Sequence, residues 1–144
     1  MDKYDRYFMR VAFETAKLSY AEKKKVGCVI VKDKRICSIG FNGQPTGLPN
    51  VCEEVLPDGT LKTLPTVIHA EANALAWTSK TEVITEGATM YITYSPCINC
   101  ALLMIQAGIK KVFYFEEYKN DQKSGLKLLE SCGVEVIHMD SLEG

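Results

Sequence analysis

The run TMYITYSPCINCALLMIQAGIKKVFYF, Thr89 to Phe115, decides the fold. Thr89–Thr93 is short, apolar and rich in β-branched and aromatic residues, which reads as a strand. Cys97–Ala107 follows as a helix that Gly108 closes. Lys111–Phe115 then reads as a buried strand. Downstream, Gly125–Cys132 is a further helix with Gly133 as its stop, and Glu135–His138 is a last strand. Upstream, His69–Ser79 reads as a short helix. Before it, Val26–Lys32 and Arg35–Phe41 are strand-like runs joined at Asp33-Lys34, a hairpin pattern. Near the N-terminus, Tyr4, Tyr7, Phe8, Val11, Ala12, Thr15 and Ala16 recur at helical spacing, with Asp2 as N-cap and Asp5 three residues on. A hairpin followed by alternating helices and strands specifies an α/β architecture, a five-stranded mixed sheet with helices on its faces. A single domain over residues 1–144 is expected, since the length fits one core.

The segment from Asn42 to about Thr66 stands apart. It holds Gly43, Pro45, Gly47, Pro49, Pro57, Gly59 and Pro65, so no regular element is expected to run long there. Loops of this length in compact domains are usually functional or mobile.

Composition narrows the functional classes. Hydrophobic residues make up 47% and charged residues 24%, which excludes a disordered chain. The net charge is −1, which argues against a broad nucleic-acid footprint. No apolar run approaches the ~18 residues of a membrane span. The charged stretch Met1–Lys17 does not read as a signal peptide, and a cytoplasmic location is expected. In that compartment clustered cysteines point to metal or catalysis rather than disulfides. Of the six cysteines, Cys28, Cys37 and Cys132 read as packing residues, and Cys52 has no assigned role.

Two strings carry the chemistry, His69-Ala70-Glu71 and Pro96-Cys97-Ile98-Asn99-Cys100. Chance supplies both in about one such chain in a thousand. Each lies at the start of an expected helix. Cys97 and Cys100 share a helical face at i, i+3, close enough to grip one ion. First-turn side chains lean toward the helix N-terminus, so His69 and Glu71 both reach the space ahead of their helix. Helix starts also favour thiolates. One His and two Cys leave a fourth tetrahedral position open, the catalytic zinc pattern. Two other readings stand beside it at this level: a redox C-x-x-C pair, or a structural zinc closed by Cys52 or His138.

The pairing of H-x-E with P-C-x-x-C resembles the signature of the zinc-dependent nucleobase deaminases. The wider stretches Val26–Val31 (VGCVIV), Gly40–Pro45 (GFNGQP) and Ser95–Val112 resemble the deoxycytidylate (dCMP) deaminases, with the likeness running from about Tyr4 to His138. The resemblance implies the three-layer α/β/α cytidine-deaminase-like fold, with one catalytic zinc on His69, Cys97 and Cys100. It implies Glu71 as proton shuttle in the hydrolysis of dCMP to dUMP and ammonia, a supply of dUMP for thymidylate synthesis. Asn42, Ala70, Ser95 and Tyr118 are then the expected substrate contacts, although Asn42 beside Gly43 also reads as a plain turn residue. Lys24 and Lys119 are candidates for the phosphate, while Lys23–Lys25 also reads as a solvated charge run. Gly40, Phe41, Asn42 and Gly43 resemble the family's effector segment for dCTP and dTTP, with Phe41 where a Tyr is usual. A homo-oligomer, commonly a hexamer, and no membrane or nucleic-acid partner are further implications. A tRNA adenosine deaminase shares the motif, and a non-catalytic zinc scaffold is the reading from another class. A second, structural zinc is not expected, because only Cys52 and His138 remain as conventional ligands.

Overall fold

The computed structural model describes residues 1–143. Helix α1 spans Lys3–Ala16 and opens on the expected cap: the Asp2 side chain accepts from Tyr4 N and Asp5 N, and Asp5 accepts from Asp2 N. Strands β1 (Gly27–Lys32) and β2 (Arg35–Phe41) form the hairpin. Its two-residue turn has positive φ at both Asp33 and Lys34, the left-handed geometry that matches strand twist. After α2 (Ala70–Thr78) come β5 (Thr89–Tyr94), α3 (Ile98–Gln106), β6 (Lys111–Glu116), α4 (Leu126–Ser131) and β7 (Glu135–His138). The five long strands pair in the order β2-β1-β5-β6-β7. The β2/β1 and β1/β5 contacts are antiparallel, and the β5/β6 and β6/β7 contacts are parallel. The expected mixed sheet is therefore present.

Alternation along the central strands divides the core into two layers. Val29, Val31, Tyr91 and Phe113 face Phe8, Met9 and Ala12 of α1. Cys28, Ile30, Met90, Ile92 and Val112 face Ala70 and Ala74 of α2, Ala101 and Met104 of α3, and Leu129 of α4. The result is helix, sheet, helix. Gly40 sets how closely α2 approaches: a Cβ there would lie 2.3 Å from Ala70 O and 2.6 Å from Ala74 N. No helix among the described residues is long and apolar enough to cross a membrane.

Two expectations are corrected below, and a third is refined: regular structure in the Asn42–Thr66 segment is short, as expected, a small hairpin of β3 (Glu53–Val55) and β4 (Leu61–Thr63). Pro57 and Gly59 lie in its turn, where Leu56 N donates to Thr60 O and Gly59 N to Leu56 O, so they punctuate the hairpin rather than prevent it. The α1 stripe is also rotated. Met9 is fully buried, whereas Tyr4 and Tyr7 are 41% and 49% exposed, their hydroxyl-tipped rings tolerating water. Cys132 is exposed at the end of α4 rather than packed, because Leu126 and Leu129 form that short helix's inner face. Cys28 is buried as expected and Cys37 partly so.

Candidate metal and active site

The site is assembled from two helix starts on the same side of the sheet. His69 keeps an extended backbone immediately before α2, and Cys97 occupies the same position before α3. Cys97 Sγ accepts from Cys100 N at 3.4 Å, so the sulfur also caps its helix. The fold brings these elements together although 28 residues separate His69 from Cys97. His69 Nδ1 lies 3.5 Å from Cys97 Sγ and 3.4 Å from Cys100 Sγ. All three ligand atoms fall within 4.8 Å of one another. Tetrahedral zinc with ordinary Zn–S and Zn–N bonds separates sulfur from nitrogen by about 3.6 Å, so this donor set fits. The cluster could hold one metal ion, and neither Cys52 nor His138 belongs to it.

Hydrogen bonding within the cluster splits the protonation of the two thiols. The Cys97 thiol is lowered to about 4 by the hydrogen bond with Cys100, assisted by His69 and the α3 backbone. Cys100 is raised, first because it donates to Cys97 and second by burial. The two thiols share their protons as a pair. His69 is raised, chiefly by its hydrogen bond to Cys97. Glu71 is 4% exposed, and burial raises its carboxyl to about 7. A carboxyl that gains and loses a proton near neutrality beside a metal cluster suits general acid–base work.

A cleft of about 540 Å³ opens above these groups and is lined by His69, Ala70, Glu71, Asn42, Ser95, Tyr118, Lys24 and Lys119. Ala70 holds the first helical position, where a backbone N–H has no partner within the helix. Three expected contacts are engaged within the protein. Asn42 Oδ1 accepts from Val26 N at 2.9 Å, and its Nδ2 donates to Lys24 O at 2.7 Å, leaving one amide hydrogen uncommitted. Ser95 Oγ accepts from Tyr118 N at 2.9 Å, which ties the loop after β6 to the end of β5. Lys24 pairs with Glu116 and lies over the Tyr94 ring. Of the effector candidates, Asn42 alone lines the cleft. Gly40 is pressed against α2, the Phe41 carbonyl accepts from Asn73, and Gly43 bridges to Ile68.

The cleft also contains residues the motifs do not indicate. Tyr94 packs against Tyr118 with ring centroids 4.6 Å apart, and Lys23 and Lys123 add cations to the rim. Tyr94 could have been suspected from its place directly before Ser95. Lys123 gives no signal in a polar loop. Glu53 is the least legible. From the β3–β4 hairpin its buried carboxylate accepts from Glu22 N and Lys23 N, fixing the cationic segment before β1.

Three ligands with room for a fourth, next to a buried carboxylate, define a metal-assisted hydrolytic site. Comparison with known proteins gives the class a family. Residues 2–116 match the cytidine and deoxycytidylate deaminase zinc-binding region, and the chain belongs to this family. It is 37% identical to the deoxycytidylate deaminase of Saccharomyces cerevisiae over 92% of this chain and 44% of that protein. It is 39% identical to ComE operon protein 2 of Bacillus subtilis over 95% of this chain and 71% of that protein. The chain thus spans less than half of the yeast relative and about seven-tenths of the bacterial one. Among solved structures, dCMP deaminase from the cyanophage S-TIM5, in complex with dCMP and dUMP, superposes with a TM-score of 0.84 at 39% identity, covering 92% of this chain and 94% of that one.

Proposed function

We propose that this chain hydrolyses dCMP to dUMP and ammonia, with one zinc ion held by His69, Cys97 and Cys100. The observation that carries the reading is the buried Glu71 carboxyl beside a ligand cluster of zinc dimensions, at the base of a nucleotide-sized cleft. The likeness to a dCMP deaminase crystallised with dCMP and dUMP supports the substrate. Zinc in such a site acts as a Lewis acid, making water acidic enough to serve as nucleophile near neutral pH.

The protein's own groups perform the proton work and the positioning. Glu71 accepts a proton from the attacking water and delivers it to N3 of cytosine, so that C4 becomes electrophilic. It then takes the proton of the new C4 hydroxyl and passes it to the exocyclic amine, so that the C4–N bond breaks as the C4 carbonyl forms; one water is consumed and one ammonia leaves. The Ala70 N–H donates to the pyrimidine carbonyl at C2. Tyr118, held by Ser95 and braced by Tyr94, covers the cleft and limits access of bulk water. Lys119 is a stronger phosphate ligand than Lys24, whose charge Glu116 already balances.

Exposed Ile98, Leu102 and Leu103 on α3 support assembly into a homo-oligomer, for which a hexamer is proposed. Six free cysteines support a reducing, cytoplasmic setting. Regulation by dCTP and dTTP is proposed from the GFNG segment, and a shift of the dCMP saturation curve on adding either nucleotide tests it. The main test is a purified-protein assay of dCMP, CMP, deoxycytidine and adenosine-bearing RNA, following ammonia. Turnover confined to dCMP, or fastest with it, is expected. No ammonia from dCMP with zinc loaded overturns the reading, and deamination of the RNA instead assigns the tRNA-acting branch.

A further inference from the structure

Strand β2 is an edge of the five-stranded sheet, and it delivers Asn42 to the reaction cleft. At that residue the β1–β2 ladder changes partners. Asn42 N still donates to Val26 O at 3.3 Å, but Val26 N donates to the Asn42 side-chain Oδ1 at 2.9 Å, so the side chain takes over one rung. The Asn42 carbonyl accepts from the buried Ser19 Oγ at 2.7 Å. Gly43 and Ile68 exchange two hydrogen bonds, of 3.1 and 2.8 Å, and Ile68 directly precedes His69.

One further restraint on this strand end comes from α2 itself. Asn73 lies four residues after His69 and two after Glu71, and its Nδ2 donates to the Phe41 carbonyl at 2.7 Å. A carbonyl at the end of an edge strand needs such a donor. Asn73 is partly buried and is not among the residues that line the cleft. Its amide therefore works on the protein and not on a bound nucleotide. Without that bond, the strand end would be tied to Ser19, Lys24 and Val26 more firmly than to the helix that carries Glu71. Groups that act together on one substrate must hold their mutual positions to within about 0.5 Å.

We propose that Asn73 is a positioning residue of the reaction: through the Phe41 carbonyl it locks Asn42 to α2, so that the uncommitted amide hydrogen of Asn42 meets the nucleotide in register with Glu71. This role rests on the cleft being the dCMP site. The test measures dUMP binding by calorimetry and dCMP turnover in the zinc-loaded full chain. Asn73→Ala should keep one zinc per chain, weaken dUMP about tenfold and raise KM for dCMP by a similar factor, with kcat within about twofold. A purely structural bond would lower the unfolding midpoint and leave dUMP affinity unmoved. In an Asn42→Ala background, Asn73→Ala should cost less than about twofold, because its effect passes through Asn42. Should Asn73→Ala fail to fold, Asn73→Asp keeps the shape, removes the donor and gives the same reading.

Unchanged dUMP affinity and KM in Asn73→Ala overturn the proposal. Equal falls in kcat and kcat/KM overturn it as well, since they place the effect at Glu71 or the metal. So does a full loss that persists in the Asn42→Ala background, which assigns Asn73 a different route. A wild type that binds dUMP in an Asn73-dependent way but releases no ammonia from dCMP sinks the catalytic reading alone. A wild type that neither binds dUMP nor turns over dCMP overturns both.

Discussion

Glu71 owes its proposed reactivity to where it is buried rather than to any unusual bond. With no lysine or arginine against it, desolvation dominates and the carboxyl holds its proton to about pH 7. Replacing it with glutamine preserves shape and hydrogen bonding but removes the transferable proton. Glu71→Gln should therefore keep its zinc, by elemental analysis, and lose about 10²–10⁴-fold in turnover. Cys97→Ala should instead lose the metal. A second consequence concerns the metal-free protein. Folded Glu71 titrates at about 7 against an ordinary 4.5, so the native state binds a proton that the unfolded chain has released. This contribution to stability is complete below about pH 4.5 and disappears as pH rises through about 7, a span worth about 3 kcal/mol. In urea unfolding, chelated wild type and chelated Glu71→Gln should match near pH 4.5, and the wild type should fall below the variant as pH rises through about 7. Parallel pH profiles would contradict it.

The elements show which sequence signals were sufficient. The βαβ run from Thr89 was legible because strand, helix and strand each end at recognisable punctuation, Pro96 and Gly108 among it. The first hairpin was legible for the same reason. Its turn nevertheless asks a lysine to adopt a left-handed backbone that costs roughly 1 kcal/mol. Replacing Asp33-Lys34 with Asn-Gly should raise stability by about 1 kcal/mol, measurable as a higher urea midpoint with an unchanged slope. Gly40 tests the opposite case. With Ala70 O at 2.3 Å from a built Cβ, Gly40→Val must push α2 off the sheet, costing about 3 kcal/mol. Because α2 begins with Ala70 and carries Glu71, turnover per zinc should fall as well. The β3–β4 hairpin was not legible: strands of three residues give too few alternations to stand out among prolines and glycines.

At the scale of the whole molecule, the reaction cleft depends on segments far apart in sequence. Glu53 reaches from the small hairpin to the amides of Glu22 and Lys23, which supports the cationic rim over the cleft. Glu53→Ala leaves those amides without their acceptor and frees the rim to move. An increase in KM for dCMP with little change in kcat is expected, whereas an equal fall in kcat and kcat/KM would place Glu53 in the chemistry itself. The motif residues were readable because metal chemistry restricts ligands to few residue types at tight local spacing: His69 with Glu71, and Cys97 with Cys100. Helical period and turn residues likewise determined α1, the hairpin and the strand–helix alternation, since these depend on neighbours a few positions away. Tertiary structure alone decided that the two helix starts meet within ligand distance, that Asn42 and Ser95 spend hydrogen bonds on the scaffold, that Lys24 is neutralised, and that Asn73 reaches the end of β2. Those outcomes depend on contacts between segments distant in the chain, and the physics of burial and charge acts on them only once packing has brought the segments together.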